Sequence, residues 1–369
     1  MHRRRLVLLG AGHAHLHVLR HAGRLLRAGH TVTLVAPPLF WYSGMVTGML
    51  GGTYATEDDQ VDVAAVARDA GCTHLADLAT GLDRSTRVVR LASGGSLPFD
   101  VLSVAIGSEA AVLPGEAPFA AKPIHRLWEL RQQLEAACTD APPRILVAGG
   151  GITACELAVN IAALCRRHGG GAEITVLAPP DGLLTALHPR AKRTVLRVLR
   201  RAGIAVRQDG PVLGLAEGSA SLPGGTVAFD LAINATGLRP PSVLRQFGLP
   251  LDQEGGLLVD RHLRSTGDPA VHGAGDCIAF GETGLPRAGV FAVRQGPVLL
   301  DNLQAALENT APRPFVPQRR FLWIMNLGDG TGLATYGRWW WHGRAAFWLK
   351  DWIDRRFMAA SRRVTPARP

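Results

Sequence analysis

Twice in this chain an apolar, strand-like run enters a glycine turn and leaves as a helix, and this duplication limits the fold more than any other feature. The first copy is Leu6-Val-Leu-Leu-Gly10-Ala-Gly12-His-Ala-His15, and the second is Arg144-Ile-Leu-Val-Ala-Gly149-Gly-Gly151-Ile-Thr-Ala154-Cys-Glu156. Each leads to a similar second run, Thr31-Val-Thr-Leu-Val-Ala-Pro-Pro38 and Glu173-Ile-Thr-Val-Leu-Ala-Pro-Pro180. Glycines at the start of such a turn let the backbone approach a pyrophosphate, whose charge sits on the unpaired N–H groups and positive dipole of the helix start. The spacing therefore predicts two βαβ units, each able to hold a dinucleotide.

Punctuation along the chain places the rest. An apolar strand from Phe99 ends at Gly107, and its echo, Phe229-Asp-Leu-Ala-Ile-Asn, ends at Gly237. Helical spacing over Leu127 to Ala137 is stopped by Pro142-Pro143 just before the second glycine turn. A further segment, His272-Gly-Ala-Gly-Asp276, lies beyond the second unit, so the chain is expected to return to the first. The reading is an α/β protein of two Rossmann-like domains. It has a discontinuous first domain (1–115 and 262–318), an inserted second domain (116–261) and a C-terminal unit (319–369). In the last, Phe321 to Leu327 and Gly332 to Tyr336 read as a hairpin around Gly328-Asp-Gly330. A helix-like run from about Arg344 to Met358 follows, with Trp348, Leu349, Trp352, Ile353 and Phe357 on one face and Lys350, Asp351, Asp354 and Arg355 on others.

Composition narrows the class. The 369 residues, 47% of them hydrophobic, suffice for two ordinary cores, and no run approaches the ~18 apolar residues of a membrane span. The start, Met1-His-Arg-Arg-Arg5, imitates a signal peptide, but the apolar run after it breaks too soon, and a cytoplasmic location is expected. Cysteines at 72, 138, 155, 165 and 277 have no regular spacing, so neither a disulfide framework nor a zinc site is expected. The formal charge of +10 is almost wholly arginine, lysine occurring only at 122, 192 and 350. It favours anionic partners; because the basic residues are scattered and accompany no nucleic-acid module, no nucleic acid is expected. His13, His17 and His21 share a helical face, but packing is the expected use of that face rather than a metal.

With these pieces in place the sequence resembles the pyridine nucleotide-disulfide oxidoreductase superfamily over nearly its whole length, its type II NADH dehydrogenase-like branch in particular. Gly10-Ala-Gly-His-Ala-His15, Tyr42-Ser-Gly-Met45 and Lys350-Asp-Trp-Ile-Asp-Arg-Arg-Phe-Met358 are similar to the oxidoreductase module found fused to selenide, water dikinase. The resemblance implies FAD on the first domain, held by Gly10, Gly12, His13, Ala14, Ser43, Gly44, Gly107, Asp276 and Gln295, with Asp276 on the ribityl hydroxyls. NAD(P)H would meet Gly149, Gly151, Ile152, Glu156 and Gly237. The flavin carries the chemistry, assisted by Glu156 and Gln295, and no metal is expected.

Three departures follow. The third glycine of each turn is His15 or Ala154. The strand ends that would carry an acid for a ribose hydroxyl read Ala36 and Ala178, so NADH and NADPH are not separated. Arg190, Lys192 and Arg193 would reach a 2′-phosphate only if their loop folds back. No cysteine pair flanks the flavin loop, so electrons must leave the flavin by another route. The matching acceptor segment, Phe291-Ala-Val-Arg294-Gln295-Gly296, keeps one glutamine. The expected activity is hydride transfer from NAD(P)H to FAD and onward to a quinone-like acceptor. The alternatives are a soluble flavin reductase of selenium or sulfur metabolism and a non-catalytic FAD/NAD(P)-binding protein. The tryptophan-rich C-terminal helix is read as a contact with the inner face of the cell membrane, with a homodimer interface as the alternative.

Overall fold

The computed structural model describes residues 3–115, 119–138, 141–216, 218–281 and 284–364. Two five-stranded parallel sheets dominate it. In the first the order is Val271–Gly273, Val101–Val104, Arg5–Leu9, Thr31–Val35, Thr73–Leu75. The second runs Phe119–Ala120, Leu231–Asn234, Arg144–Ala148, Glu173–Leu177, Ala205–Arg207. In both, the strand that feeds the glycine turn is central, with the next parallel strand on one side and a much later one on the other. This places each turn at the carboxyl edge of its sheet, where strand order reverses and a crevice opens. The strand Val271–Gly273 belongs to the first sheet although the whole second sheet intervenes in sequence.

The duplication reaches single bonds. The Arg5 backbone N–H and guanidinium both donate to Asp100, and those of Arg144 donate in the same way to Asp230. Gly10 N–H donates to Val35 O at 2.8 Å, and Gly149 N–H to Leu177 O at 2.7 Å. Each sheet also carries a three-stranded antiparallel appendage before its closing strand, over Ala79–Pro98 in the first and Gly214–Ala228 in the second. The central strands are buried along their apolar residues, as strands covered on both faces must be.

The C-terminal unit departs from the expected hairpin. Trp339–Gly343 adds a third antiparallel strand to Leu322–Asn326 and Gly332–Tyr336, and the helix Arg344–Ser361 follows it. Only part of the apolar face of that helix packs on the molecule. Trp348 and Trp352 are 64% and 58% exposed, whereas Lys350 and Asp354 are buried. Leu349, Ile353 and Phe357 are half-buried against the molecule. The reason is an i,i+4 ion pair: Lys350 Nζ lies 2.5 Å from Asp354, each neutralising the cost of burying the other, while the large aromatics are left outside. The cysteine expectation also needs correction, because Cys138 and Cys165 form a disulfide. They close the ends of the neighbouring helices His125–Ala137 and Ile152–Arg167, a proximity that spacing in sequence does not encode. Among the described residues no helix is long and apolar enough to cross a membrane.

Candidate functional site

A cleft opens at the first glycine turn. Gly12, His13, Ala14, Ser43, Gly107 and Asp276 all line it, joined by Phe40, Trp41, Lys122, Gly275 and Gly289. Gly10 lies behind the wall. Its φ of +83° is left-handed, and a Cβ there would lie 2.6 Å from Ala105 O, so the turn admits no side chain at this point. Gly12 is equally tight, its missing Cβ falling 2.7 Å from the same carbonyl. The helix His13–Arg20 starts immediately after, with no side-chain cap on its first N–H groups. Bare helix start, glycine walls and flanking aromatic rings fit a pyrophosphate joined to a flat ring system.

His15 takes the place of the usual third glycine without loosening the unit. It is fully buried, with Nδ1 2.6 Å from Gly10 O and Nε2 2.8 Å from Ser103 Oγ, and so ties the turn to the adjacent strand. Burial pulls its pKa down to about 4. His13 is pulled to about 3, chiefly by burial and then by the nearby Lys122 charge, so it meets the cleft as a neutral imidazole. It packs against Phe40, Tyr42 and Phe357. His17 and His21 stack on each other instead, so the three histidines do not converge.

Asp276 is held ready by its neighbours. Ser108 Oγ donates to its carboxylate at 3.0 Å, and Gln295 accepts the Gly275 N–H at 2.7 Å, fixing the turn that carries it. Gln295 is therefore buried behind the cleft wall and acts on its shape. Gly44 also stands behind the wall: Lys350 Nζ donates to its carbonyl and to Asp354, which accepts the Tyr42 hydroxyl at 2.9 Å. The far end of the chain thus braces the Tyr42–Gly44 loop.

The second turn is built differently at each glycine. Gly149 has φ +140° and its Cβ would collide with Ala235 O, whereas Gly151 has no atom within 4 Å of a Cβ. Gly149 makes the turn and Gly151 keeps space clear before the helix Ile152–Arg167. Gly237 follows the closing strand, its carbonyl accepting the Ala111 N–H at 3.0 Å. Ala178, at the strand end, is buried, and a Cβ at Gly150 would fall 2.9 Å from its side chain and 2.6 Å from Gly182 O. Glu156 is brought elsewhere. Its carboxylate accepts the Thr47 hydroxyl at 2.9 Å and the Asn326 N–H at 2.8 Å, at a three-way contact between the first sheet's helices, the second unit and the C-terminal unit. Burial raises its pKa, opposed by the Lys350 charge and by both hydrogen bonds.

Two groups escaped the sequence reading. Lys122, just after the edge strand Phe119–Ala120 of the second sheet, lines the cleft as the one lysine or arginine among the described residues of its wall. Burial lowers its pKa, while Asp276 and Asp59 raise it. Asp59 is buried with both carboxylate oxygens unpartnered among the described residues, and burial pushes it up to about 8. An isolated lysine or aspartate in a loop carries no periodic signal; only the three-dimensional neighbourhood singles them out.

Comparison with known proteins bears on this cleft. The family model described as pyridine nucleotide-disulphide oxidoreductase matches residues 4–296, which span both glycine turns, Asp276 and Gln295. The chain belongs to that family. FAD is accordingly its cofactor. The nitric oxide reductase FlRd-NAD(+) reductase of Aeromonas hydrophila is 33% identical over 220 residues, covering 56% of this chain and 52% of that one. An NADH dehydrogenase-like protein of Mycobacterium tuberculosis is 28% identical over 234 residues, covering 60% and 58%. The chain spans little more than half the length of these curated relatives. Among solved structures, the sulfide:quinone oxidoreductase of Aquifex aeolicus superposes with a TM-score of 0.81 at 16% identity, covering 99% of this chain and 93% of that one. NDH2 of Plasmodium falciparum, solved with NADH, gives 0.80 at 14% identity and 98% of both. At these identities the two structures establish the shared fold, including the C-terminal unit.

Proposed function

We propose that the enzyme passes hydride from NAD(P)H to FAD and then two electrons to a quinone or quinone-like acceptor. The observation that carries this reading is the cleft wall itself: among the described residues that line it there is no cysteine. A dithiol relay is thereby unsupported, and the reduced flavin must deal with its acceptor directly. The relatives and structural neighbours include enzymes named for NAD, NADH and quinone substrates, which is consistent with this pairing. We assign FAD to Gly10, Gly12, His13, Ala14, Ser43, Gly44, Gly107, Asp276 and Gln295, and the nicotinamide nucleotide to Gly149, Gly151, Ile152 and Gly237. Glu156 is reassigned from a direct nucleotide contact to the packed junction beneath the cleft. The division into a split FAD domain, an inserted NAD(P) domain and a C-terminal unit is our reading of the same arrangement.

Bound FAD supplies the electron-carrying ring; the chain's own residues supply placement and charge. Asp276, fixed by Ser108, presents a carboxylate that accepts from ribityl hydroxyls. Lys122 places a cation in the cleft, where it favours the extra negative charge that reduction brings. Lys350 holds the Tyr42–Gly44 loop from behind. The exposed Trp339, Trp341, Trp348 and Trp352, with Arg344 and Arg356 stacked over two of them, suit the interface of a membrane, where a lipid-soluble acceptor would be met.

Removing the Asp276 carboxylate is expected to weaken flavin binding. Asp276→Ala should lose most of its bound FAD on desalting, and retention of a full flavin spectrum would refute the assignment. The acceptor is tested by NADH and NADPH oxidation with a short-chain quinone, with polysulfide or a selenium compound, and with oxygen alone. Quinone turnover well above the oxygen rate is expected. Turnover only with the chalcogen compound would favour a reductase of selenium or sulfur metabolism, and flavin that no nicotinamide reduces would leave a binding protein.

A further inference from the structure

Many arginines in this chain have a carboxylate or carbonyl to hold. Arg5, Arg24, Arg84, Arg131, Arg144 and Arg264 each make an ion pair with an aspartate or glutamate. The helix Pro189–Arg201 gathers unpaired cations on one face. It carries Arg190, Lys192, Arg193, Arg197, Arg200 and Arg201 and no acidic residue, and among the described residues none of these six side chains forms an ion pair. The five arginines are exposed, while Ala191, Val195, Val198 and Leu199 bury the opposite face. A solvated helix of ordinary composition mixes both signs, because like charges at i,i+4 repel. A one-sign face keeps that repulsion until an anion covers it.

Two neighbouring features state what kind of anion. At the start of the helix Leu184, Leu187, Pro189 and Leu196 line an open apolar groove, with Lys192 and Arg193 at its rim. The helix also packs beside the strand Trp339–Gly343, which carries the exposed Trp339 and Trp341. A cationic rim around an apolar floor, continuous with exposed tryptophans, matches a phosphate group attached to hydrocarbon and not a phosphate alone.

We propose that the helix Pro189–Arg201 and the groove at its start bind anionic phospholipid headgroups, giving the protein a second membrane contact on the nicotinamide-binding half. This rests on the membrane reading made above for the tryptophans and adds a separate set of residues to it. With two contacts the protein cannot rotate freely about its C-terminal helix, so the flavin cleft keeps one orientation to the bilayer. The lipid preference follows from charge: each cation facing an acidic leaflet strengthens binding roughly fivefold, and the effect fades beyond a Debye length.

The test is cosedimentation of the full chain with vesicles of phosphatidylcholine alone or mixed with phosphatidylglycerol. Arg193→Glu/Arg197→Glu/Arg200→Glu is compared with Trp348→Ser/Trp352→Ser and with a conservative triple arginine-to-lysine variant. All are first checked for an intact flavin spectrum. The wild type should prefer the phosphatidylglycerol vesicles. The glutamate variant should lose at least about a hundredfold in partitioning to them while keeping its residual binding to neutral vesicles, and the lysine variant should bind near normally. If the glutamate variant partitions like the wild type while the tryptophan variant is released, the helix plays no part and the tryptophan contact stands alone. If the wild type ignores both vesicles, the membrane reading falls and this inference with it. Equally tight binding of the wild type to soluble polyglutamate, abolished in the same variant, would assign the face to an acidic protein instead.

Discussion

Gly151→Val should leave the protein folded and yellow, and should stop NAD(P)H from bleaching it. The position has φ −77° and ψ 177°, an extended conformation open to any residue, and no atom lies within 4 Å of the added Cβ. The native structure thus tolerates the side chain. A pyrophosphate seated on the start of the Ile152–Arg167 helix would not, since it must approach that backbone closely. Loss of even about 3 kcal/mol of binding lowers occupancy more than a hundredfold. Stopped-flow absorbance of the flavin after mixing with NADH or NADPH is the measurement, with dithionite reduction as the control that the flavin remains reducible. Normal bleaching would move the nicotinamide site away from this turn. Gly149→Val would not serve, because a side chain at φ +140° against Ala235 O damages the fold itself.

The second large effect is expected at the buried ion pair. Lys350→Met removes the cation that faces Asp354 and whose charge also holds Glu156 down, leaving a carboxylate buried with only the Tyr42 hydroxyl to solvate it. Breaking such a pair from one side costs about 3–5 kcal/mol. Thermal unfolding followed by flavin release should therefore shift down by several degrees, with the Tyr42–Gly44 loop freed first because its carbonyl loses a donor. Lys350→Met/Asp354→Leu, which removes both charges, should recover much of the loss. A single variant as stable as the wild type would mean that Asp354 finds solvent, and that the C-terminal helix is held by its apolar contacts alone.

The parts of this fold that were legible in sequence are those written in short-range pattern. Strand, glycine turn and helix occupy adjacent residues, so both units, their second strands and their closing strands could be placed. The return of Val271–Gly273 to the first sheet follows the expectation drawn from the Asp276 segment. What stayed hidden depends on residues far apart in the chain. Hydrophobic periodicity grouped Trp348 and Trp352 with Leu349, Ile353 and Phe357 on one face, but it carries no sign that Lys350 and Asp354 are a buried pair, because only their mutual contact makes that burial tolerable. Glu156 looked like a nucleotide contact from its distance to Gly151, but Thr47 and Asn326, 109 and 170 residues away, claim its carboxylate. Lys122 and the Cys138–Cys165 bond had no local signature at all.

The brace on the flavin loop has a consequence in time as well as in space. Lys350 reaches back to Gly44, and Arg362 donates to the carbonyls of Glu57, Asp58 and Gln60, about 300 residues upstream. While the chain is being synthesised, the first glycine turn and its helix can form long before those donors exist. The cleft wall beside Tyr42 is finished only after the helix Arg344–Ser361 has left the ribosome and docked, a non-local step of the kind that slows folding. Tight capture of the flavin should then wait for the helix Arg344–Ser361, which serves as the latch on the Tyr42–Gly44 loop.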